Sequence, residues 1–400
     1  MTLRVRQRIS LLIGLALMLV IGFRLLAPGI IGDRLISIAV RSPGITDLPV
    51  IGDVILDRLG SRLTDPAGES SDVLRVSIAE GSGTGEIANQ LLDAGLIGDE
   101  AGFIIAVHRA GLDGLLQAGD FLVAPAMTPT EVAAALTTPY REPTVAVALR
   151  AGIRLEQVIA KLSTLNLPFT PASVESILRN PPEDIRADYA WLDLKPRDSL
   201  EGRIGTGVFN VPLSMTADGF VRMLLDRFAE SVPQELRGAT ADGRSFAEVL
   251  TLASIVEREA SIDSERARIA GVFAYRMKVG MGLGSDVTLI YMIDSANLRE
   301  CAISSWKKYV FWSIPYGIYD VASSPSIPKD LQRWNTRSRR GLPPAPICTP
   351  SAASIAAARN PDSSRKELYF IAIPGGDGAT DYSKTLAEHL RKAEMYGFNP

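Results

Sequence analysis

The chain has 400 residues, of which 46% are hydrophobic and 22% charged, and its formal net charge is −3. This composition excludes a disordered chain and leaves room for two or three domains, while the lack of a basic excess argues against a nucleic-acid partner. His108 and His389 stand apart from each other and from Cys301 and Cys348, so neither a metal site nor a Ser-His-Asp triad is expected, and no cofactor is called for. The two cysteines could pair outside the cytoplasm or remain free.

Arg4, Arg6 and Arg8 precede an apolar run over residues 9–23, which resumes after Arg24 as far as Ile31. With Arg24 snorkelling to the interface, residues 9–31 could span the ~30 Å of a bilayer core. The arginines in front predict a cytoplasmic N-terminus. No small-x-small cleavage site follows Phe23, so a retained single-pass anchor in the cell membrane is expected, not a cleaved signal, with the bulk of the chain outside the cytoplasm. Residues 1–35 then form a cytoplasmic tip and anchor, and residues 36–72 a linker. The linker composition is clearest over 65–72, with Pro66, Gly68, Ser70 and Ser71.

An internal repeat follows. Val76-x-Ile78-x-x-Gly81, then Ile87 and Leu91, is matched at constant offset by Val147-x-Leu149-x-x-Gly152, then Val158 and Leu162. Each copy alternates like a strand, turns at Gly and takes up helical spacing, which predicts two small βα units, the second within 144–165. Residues 73–140 are read as one module and 141–400 as a larger domain. The fold class expected is α+β.

In the larger domain, Phe220, Met223, Leu224 and Phe228 share one face of a helix that ends near Ser231. Phe246, Val249, Leu250, Ala253, Val256 and Ala260 recur at helical spacing, and Leu252 and Ile255 cover part of the other side, so this helix is buried nearly all round. It ends in Glu257-Arg258-Glu259. A buried carboxyl holds its proton to higher pH, which is what a general acid requires. The two glutamates lie about 200° apart around the helix, so one alone is expected to do chemistry. Periodicity favours Glu257, which lies nearer the apolar stripe. Further on, Ile269, Val272, Phe273 and Met277 mark another helix, residues 367–372 read as a buried strand, and Gly375, Gly376 and Gly378 as a loop before a last helix.

The run Ser254-Ile255-Val256-Glu257-Arg258-Glu259-Ala260 resembles the core motif of the MltG-type (YceG-like) family of endolytic murein transglycosylases, Ser-Ile-Val-Glu-Lys-Glu-(Thr/Ala). Other stretches are similar to further segments of that family. Ser199-Leu200-Glu201-Gly202 matches Ser-Leu-Glu-Gly; Asp286-Val287-Thr288 and Tyr291 match Asp-Pro-Thr-(Val/Leu)-x-Tyr; Trp334-Asn335-Thr336-Arg337 matches Tyr-Asn-Thr-Tyr; and Gly341-Leu342-Pro343-Pro344-Ala345-Pro346-Ile347 is close to Gly-Leu-Pro-Pro-Gly-Pro-Ile. The chain departs from the family after Glu201, at Val287 in place of Pro, and at Thr380 in place of a His.

The resemblance implies a membrane-anchored protein with a small LysM-like module ahead of a mixed α+β catalytic domain. It makes Glu259 the catalytic acid and places Glu257, Glu201, Asp286, Thr288, Asn335 and Thr336 along the substrate, where the amide of Asn335 suits an N-acetyl group. The substrate implied is the peptidoglycan glycan strand, cut between N-acetylmuramic acid and N-acetylglucosamine to leave 1,6-anhydro ends and terminate nascent strands. Membrane cell-wall synthesis enzymes are the partners to expect. Two alternatives stand beside it: a hydrolytic muramidase pairing Glu259 with Glu257, Glu201 or Asp286, and an inactive murein-binding scaffold.

Overall fold

The structure is a computed structural model that describes residues 30–398, so nearly all of the anchor expected over 9–31 lies outside the described residues. Among the described residues no helix is long and apolar enough to cross a membrane. The chain divides after Glu142 into two compact units.

In the first unit, the segment 36–72 corrects the reading of a linker. It is helical as far as Leu63, with α1 (Ile30–Arg41) and α2 (Ile51–Leu59) the main elements. Ile36 and Ala39 of α1 and Ile55 and Leu59 of α2 are buried together with Ala101 and Ile105. Their helical spacing is an apolar stripe that the Pro, Gly and Ser content of residues 65–72 obscured; only that latter stretch lacks regular structure. Next come β1 (Leu74–Ile78), α3 (Thr84–Asp93), α4 (Glu100–Arg109), β2 (Gly119–Val123) and α5 (Pro129–Ala135). β1 and β2 are antiparallel, pairing Val76 with Phe121 and Ile78 with Gly119. Val76, Ile87, Leu91, Phe103 and Phe121 form the core beneath them.

The second unit begins with the order seen from β1 onward, with one short helix inserted: β3 (Thr144–Leu149), α6 (Leu155–Leu162), α7 (Pro171–Arg179), the inserted α8 (Glu183–Asp188), β4 (Gly207–Pro212) and α9 (Ala217–Ser231). β3 pairs with β4 through Val147 and Phe209 and through Leu149 and Gly207, which repeats the register of the first unit. The repeat therefore runs further than its first strand and helix. Gly119 and Gly207, which open the second strands, have φ of 129° and 126°, and the turn glycines Gly81 and Gly152 have φ of 84° and 78°, conformations closed to most side chains. Phe220, Leu224 and Phe228 of α9 are buried beneath β4, with Met223 half-buried.

The centre of this unit is α10 (Phe246–Glu259), capped by Ser245, whose side chain accepts from the Glu248 amide while Glu248 reaches back. Its residues from Val249 to Val256 are all buried. α11 (Arg266–Lys278) and α14 (Ala352–Arg359) flank it, with α12 (Asp286–Arg299) and the short α13 (Ile318–Ser323) between them in sequence. A buried hydroxyl inside α10 needs partners. Ser254 Oγ donates to the Thr251 carbonyl at 2.8 Å and accepts from the Ile347 amide at 3.0 Å, tying the proline-rich segment to the helix. Gly202 (φ 76°) lies so close to Pro346 that a Cβ there would overlap the ring. Gly202→Ala is expected to lower stability by roughly 1–3 kcal/mol, read as the midpoint of denaturant unfolding, because strained backbone and overpacking add; an unchanged midpoint would show that the proline segment moves aside freely.

The chain ends in a hairpin of β5 (Tyr369–Ala372) with β6 (Thr380–Ser383), and then α15 (Leu386–Met395). The strand read as buried is half-exposed, because a two-stranded hairpin covers only one of its faces. Thr380, which stands in the place of the family His, begins β6.

Candidate active site

Glu259 is the last residue of α10, where Ala260 leaves the helix with extended backbone (φ −84°, ψ 118°). Its Oε1 accepts a hydrogen bond of 2.5 Å from Ser285 Oγ. Burial raises its pKa above the usual carboxylate range; the Ser285 hydroxyl opposes that rise, the Asp286 charge adds to it, and Arg276 and Arg258 pull it back. A half-buried carboxyl of raised pKa with one hydroxyl donor can release a proton and then be stabilised as the anion.

Ser285 is held from several sides. The strand-like segment before α12 bridges Gly282 to Arg340 in antiparallel fashion, and the Gly284 amide donates to the Thr336 carbonyl at 3.0 Å. The Ser285 amide donates to Thr336 Oγ1 at 3.1 Å. Thr336 and Thr288 hydroxyls lie 2.9 Å apart, and Thr288 Oγ1 donates to the Ser285 carbonyl at 2.7 Å. Arg276 bonds the Leu283 carbonyl on one side and the Leu368 carbonyl on the other. Thr288 and Thr336 are thus fully buried parts of the mounting for Ser285.

The other residues singled out in the sequence are distributed around this centre. Asp286 is the immediate neighbour and binds Arg337 Nε at 2.9 Å and the Tyr319 hydroxyl at 3.2 Å. Asn335 is buried, and its Oδ1 accepts from the amides of Arg337 and Ser338, so its carbonyl closes a turn. Glu257 faces elsewhere: its Oε2 takes bonds from Arg266, from the amide and hydroxyl of Ser351 and from Ser354 Oγ, which anchors the start of α14. Glu201 is buried at the start of α6, with both oxygens 3.3 Å from the Leu155 amide. Burial and the charge of Glu156 hold its proton well above the usual range.

Sequence reasoning missed the charged cluster around Glu201. Arg154 is fully buried. It bonds Glu156 at 2.7 Å and Ser295 Oγ at 2.7 Å, lies 3.5 Å from Asp294 and stacks 4.1 Å from the Tyr291 ring centre. Burial, which alone would raise Glu156, is outweighed by Arg154 and Arg179, and its carboxyl sits below the usual range. The signal for this cluster is in the repeat: the positions matching Arg154 and Glu156 in the first copy are Gly83 and Gly85. Ser285 was likewise passed over, although it adjoins the Asp286 motif.

A cavity of about 970 Å³ is lined by Glu201, Glu156, Tyr291, Trp306 and Trp334 among others. A second, of about 340 Å³, lies along Thr336 and the 339–344 segment, and Arg333 and Pro344 border both. Among the described residues no group of acidic, His or Cys side chains could hold a metal, and both cysteines are free, Cys301 exposed and Cys348 buried.

The family model described as the YceG-like family matches residues 76–395. The chain belongs to the YceG-like family. It is 26% identical over 364 residues to an endolytic murein transglycosylase of Bacillus subtilis (strain 168), covering 87% of this chain and 91% of that protein. It is 25% identical over 352 residues to an endolytic murein transglycosylase of Streptococcus pneumoniae, covering 80% of this chain but only 59% of that one. A crystal structure of a yceG-like protein from Listeria monocytogenes is 24% identical, with a TM-score of 0.48, covering 81% of this chain and all of that one.

In this YceG-like chain, Ser285→Ala tests the electrostatics of the acid. The hydroxyl favours the charged form of Glu259, so its removal raises the pKa further. If Glu259 acts in its protonated form, the alkaline limb of the rate profile is expected to move to higher pH. A limb that stays put or moves down would separate Ser285 from the titrating group.

Proposed function

We propose that this chain is an endolytic murein lytic transglycosylase, held in the cell membrane by residues 9–31, which cuts the bond between N-acetylmuramic acid and N-acetylglucosamine within a strand. The single observation that carries the reading is Glu259, a carboxyl of raised pKa on a hydroxyl donor, while the neighbouring carboxylates are engaged elsewhere. Glu257 is bonded to Arg266 and the start of α14, Asp286 to Arg337 and Tyr319, and Glu201 is buried at the start of α6. A hydrolytic glycosidase needs two carboxyl groups across the bond. One suffices when the attacking group belongs to the substrate.

Glu259 protonates the oxygen leaving the anomeric carbon of N-acetylmuramic acid. The resulting carboxylate, stabilised by Ser285, takes the proton of that sugar's 6-hydroxyl as its oxygen attacks the same carbon. The bond to the leaving sugar breaks, a 1,6-anhydro ring closes, Glu259 regains its proton and no water is consumed. The enforced proximity of the 6-hydroxyl stands in for an activated water. Cutting growing strands in this way terminates them, which makes membrane cell-wall synthesis enzymes the natural partners, and the strand–helix–helix–strand of residues 73–140 serves as a LysM-like glycan-binding module. Mass spectrometry of murein digested by the purified chain tests the reading: products with anhydro ends are expected. Hydrated reducing ends would instead make Asp286, adjacent to Glu259, the second acid of a muramidase, and intact murein would leave a binding protein.

A further inference from the structure

Four arginines fall in the stretch from Arg333 to Arg340, beside the segment that mounts Ser285. Arg337 is neutralised by Asp286. Arg333, Arg339 and Arg340 are exposed, and among the described residues none of them has a carboxylate partner, in contrast to Arg266 and Arg299, which pair with Glu257 and Asp330. Together with Thr336 these three line the cavity of about 340 Å³, whose lining also includes Gly341-Leu342-Pro343-Pro344. Prolines fix that segment's backbone in advance, so little order is lost when a ligand settles against it. Thr336 is the residue whose hydroxyl receives the Ser285 amide, and Ser285 bonds Glu259. The basic cavity is therefore one residue removed from the donor on the acid.

Neighbouring guanidinium groups without counter-charges repel one another, and a planar anion relieves the repulsion. A guanidinium presents a fork of donors that fits a carboxylate with two parallel bonds. We propose that Arg333, Arg339 and Arg340 form an anion subsite for the carboxylates of the stem peptide on the muramic acid that Glu259 cleaves. The inference rests on the function proposed above and deepens it: the site selects strands that still carry their peptides. The neutral Pro343 and Pro344 and the exposed arginines line the same cavity, so the peptide backbone can pack on the prolines while its carboxylates meet the guanidinium groups.

The test uses the full chain with Glu259→Gln, which permits binding without turnover, and soluble glycan strands either intact or stripped of stem peptides by an amidase. Stripped strands keep only the lactyl carboxylate. The chain is expected to bind intact strands about tenfold more tightly, by roughly the strength of one charge-assisted hydrogen bond. Adding Arg339→Gln and Arg340→Gln should abolish that preference while binding to stripped strands stays the same, and raised salt should act in the same direction. In the active chain the double substitution should raise KM on intact strands and leave kcat unchanged. Equal binding of intact strands with and without the arginines would overturn the subsite. An equal loss on stripped strands would overturn the stem peptide as its ligand and point to the lactyl group. Failure of the chain to bind either strand would instead bring down the murein reading on which the subsite rests.

Discussion

Glu259→Gln is expected to reduce release of anhydro-muropeptides by at least ~10²–10⁴, the usual worth of a positioned general acid, and by more because the same group also acts as base. The amide keeps the size of the side chain and can still accept from Ser285, so the fold should persist. Stability gives an independent reading. A carboxyl whose folded pKa is raised stabilises the fold below the unfolded value, and that contribution is lost as pH rises from the ordinary carboxylate range through the raised value. Gln does not titrate, so the variant should match or exceed the wild type in melting temperature at neutral pH while losing its activity. Glu257→Gln should do the opposite. It weakens the bonds to Arg266, Ser351 and Ser354 and costs about 1–3 kcal/mol of stability, yet leaves the chemical step in place. Activity abolished by Glu257→Gln but kept in Glu259→Gln would reverse the assignment.

Arg154→Met should be the most damaging substitution for the second unit. It removes the cation that joins Glu156, Ser295 and the Tyr291 ring and approaches Asp294, and it leaves Glu156 with Arg179 as its remaining cation partner among the described residues. Breaking a buried pair by removing one partner costs about 3–5 kcal/mol, a drop of roughly 6–20 °C in melting temperature for a unit of this size. Combining Arg154→Met with Glu156→Gln should recover part of the loss, because the stranded charge goes with its partner. A single substitution that unfolds no earlier than the wild type would show that Glu156 and Asp294 simply take up protons.

How much of this was legible in the sequence depended on the range of the interactions. The course of α10, the first strand and helix of each repeat, and the stripe of α9 are local patterns, and spacing alone sufficed to read them. At the end of α10 periodicity favoured Glu257, whose side chain anchors the start of α14. Motif resemblance pointed to Glu259 instead, the glutamate that meets Ser285. The helices within 36–63 were hidden because a Pro- and Gly-rich tail beside them dominated the composition. The second strand of each repeat and the contact of Arg154 with Ser295 depend on partners distant in sequence, the latter separated by 141 positions. No periodic pattern within a window reports such a pairing. The glycines at the matching positions of the first copy were its only trace.

That exchange of Gly83 and Gly85 for Arg154 and Glu156 also bears on how the chain can change over evolutionary time. Each member of the buried cluster makes the others tolerable, so single substitutions there pass through a poorly folding intermediate, and the set can be altered only in concerted steps. Arg333, Arg339 and Arg340 carry no such mutual dependence: each is exposed, and among the described residues none has a carboxylate partner. Lineages can therefore gain or shed charge along that rim one codon at a time while the foundation beneath it stays frozen.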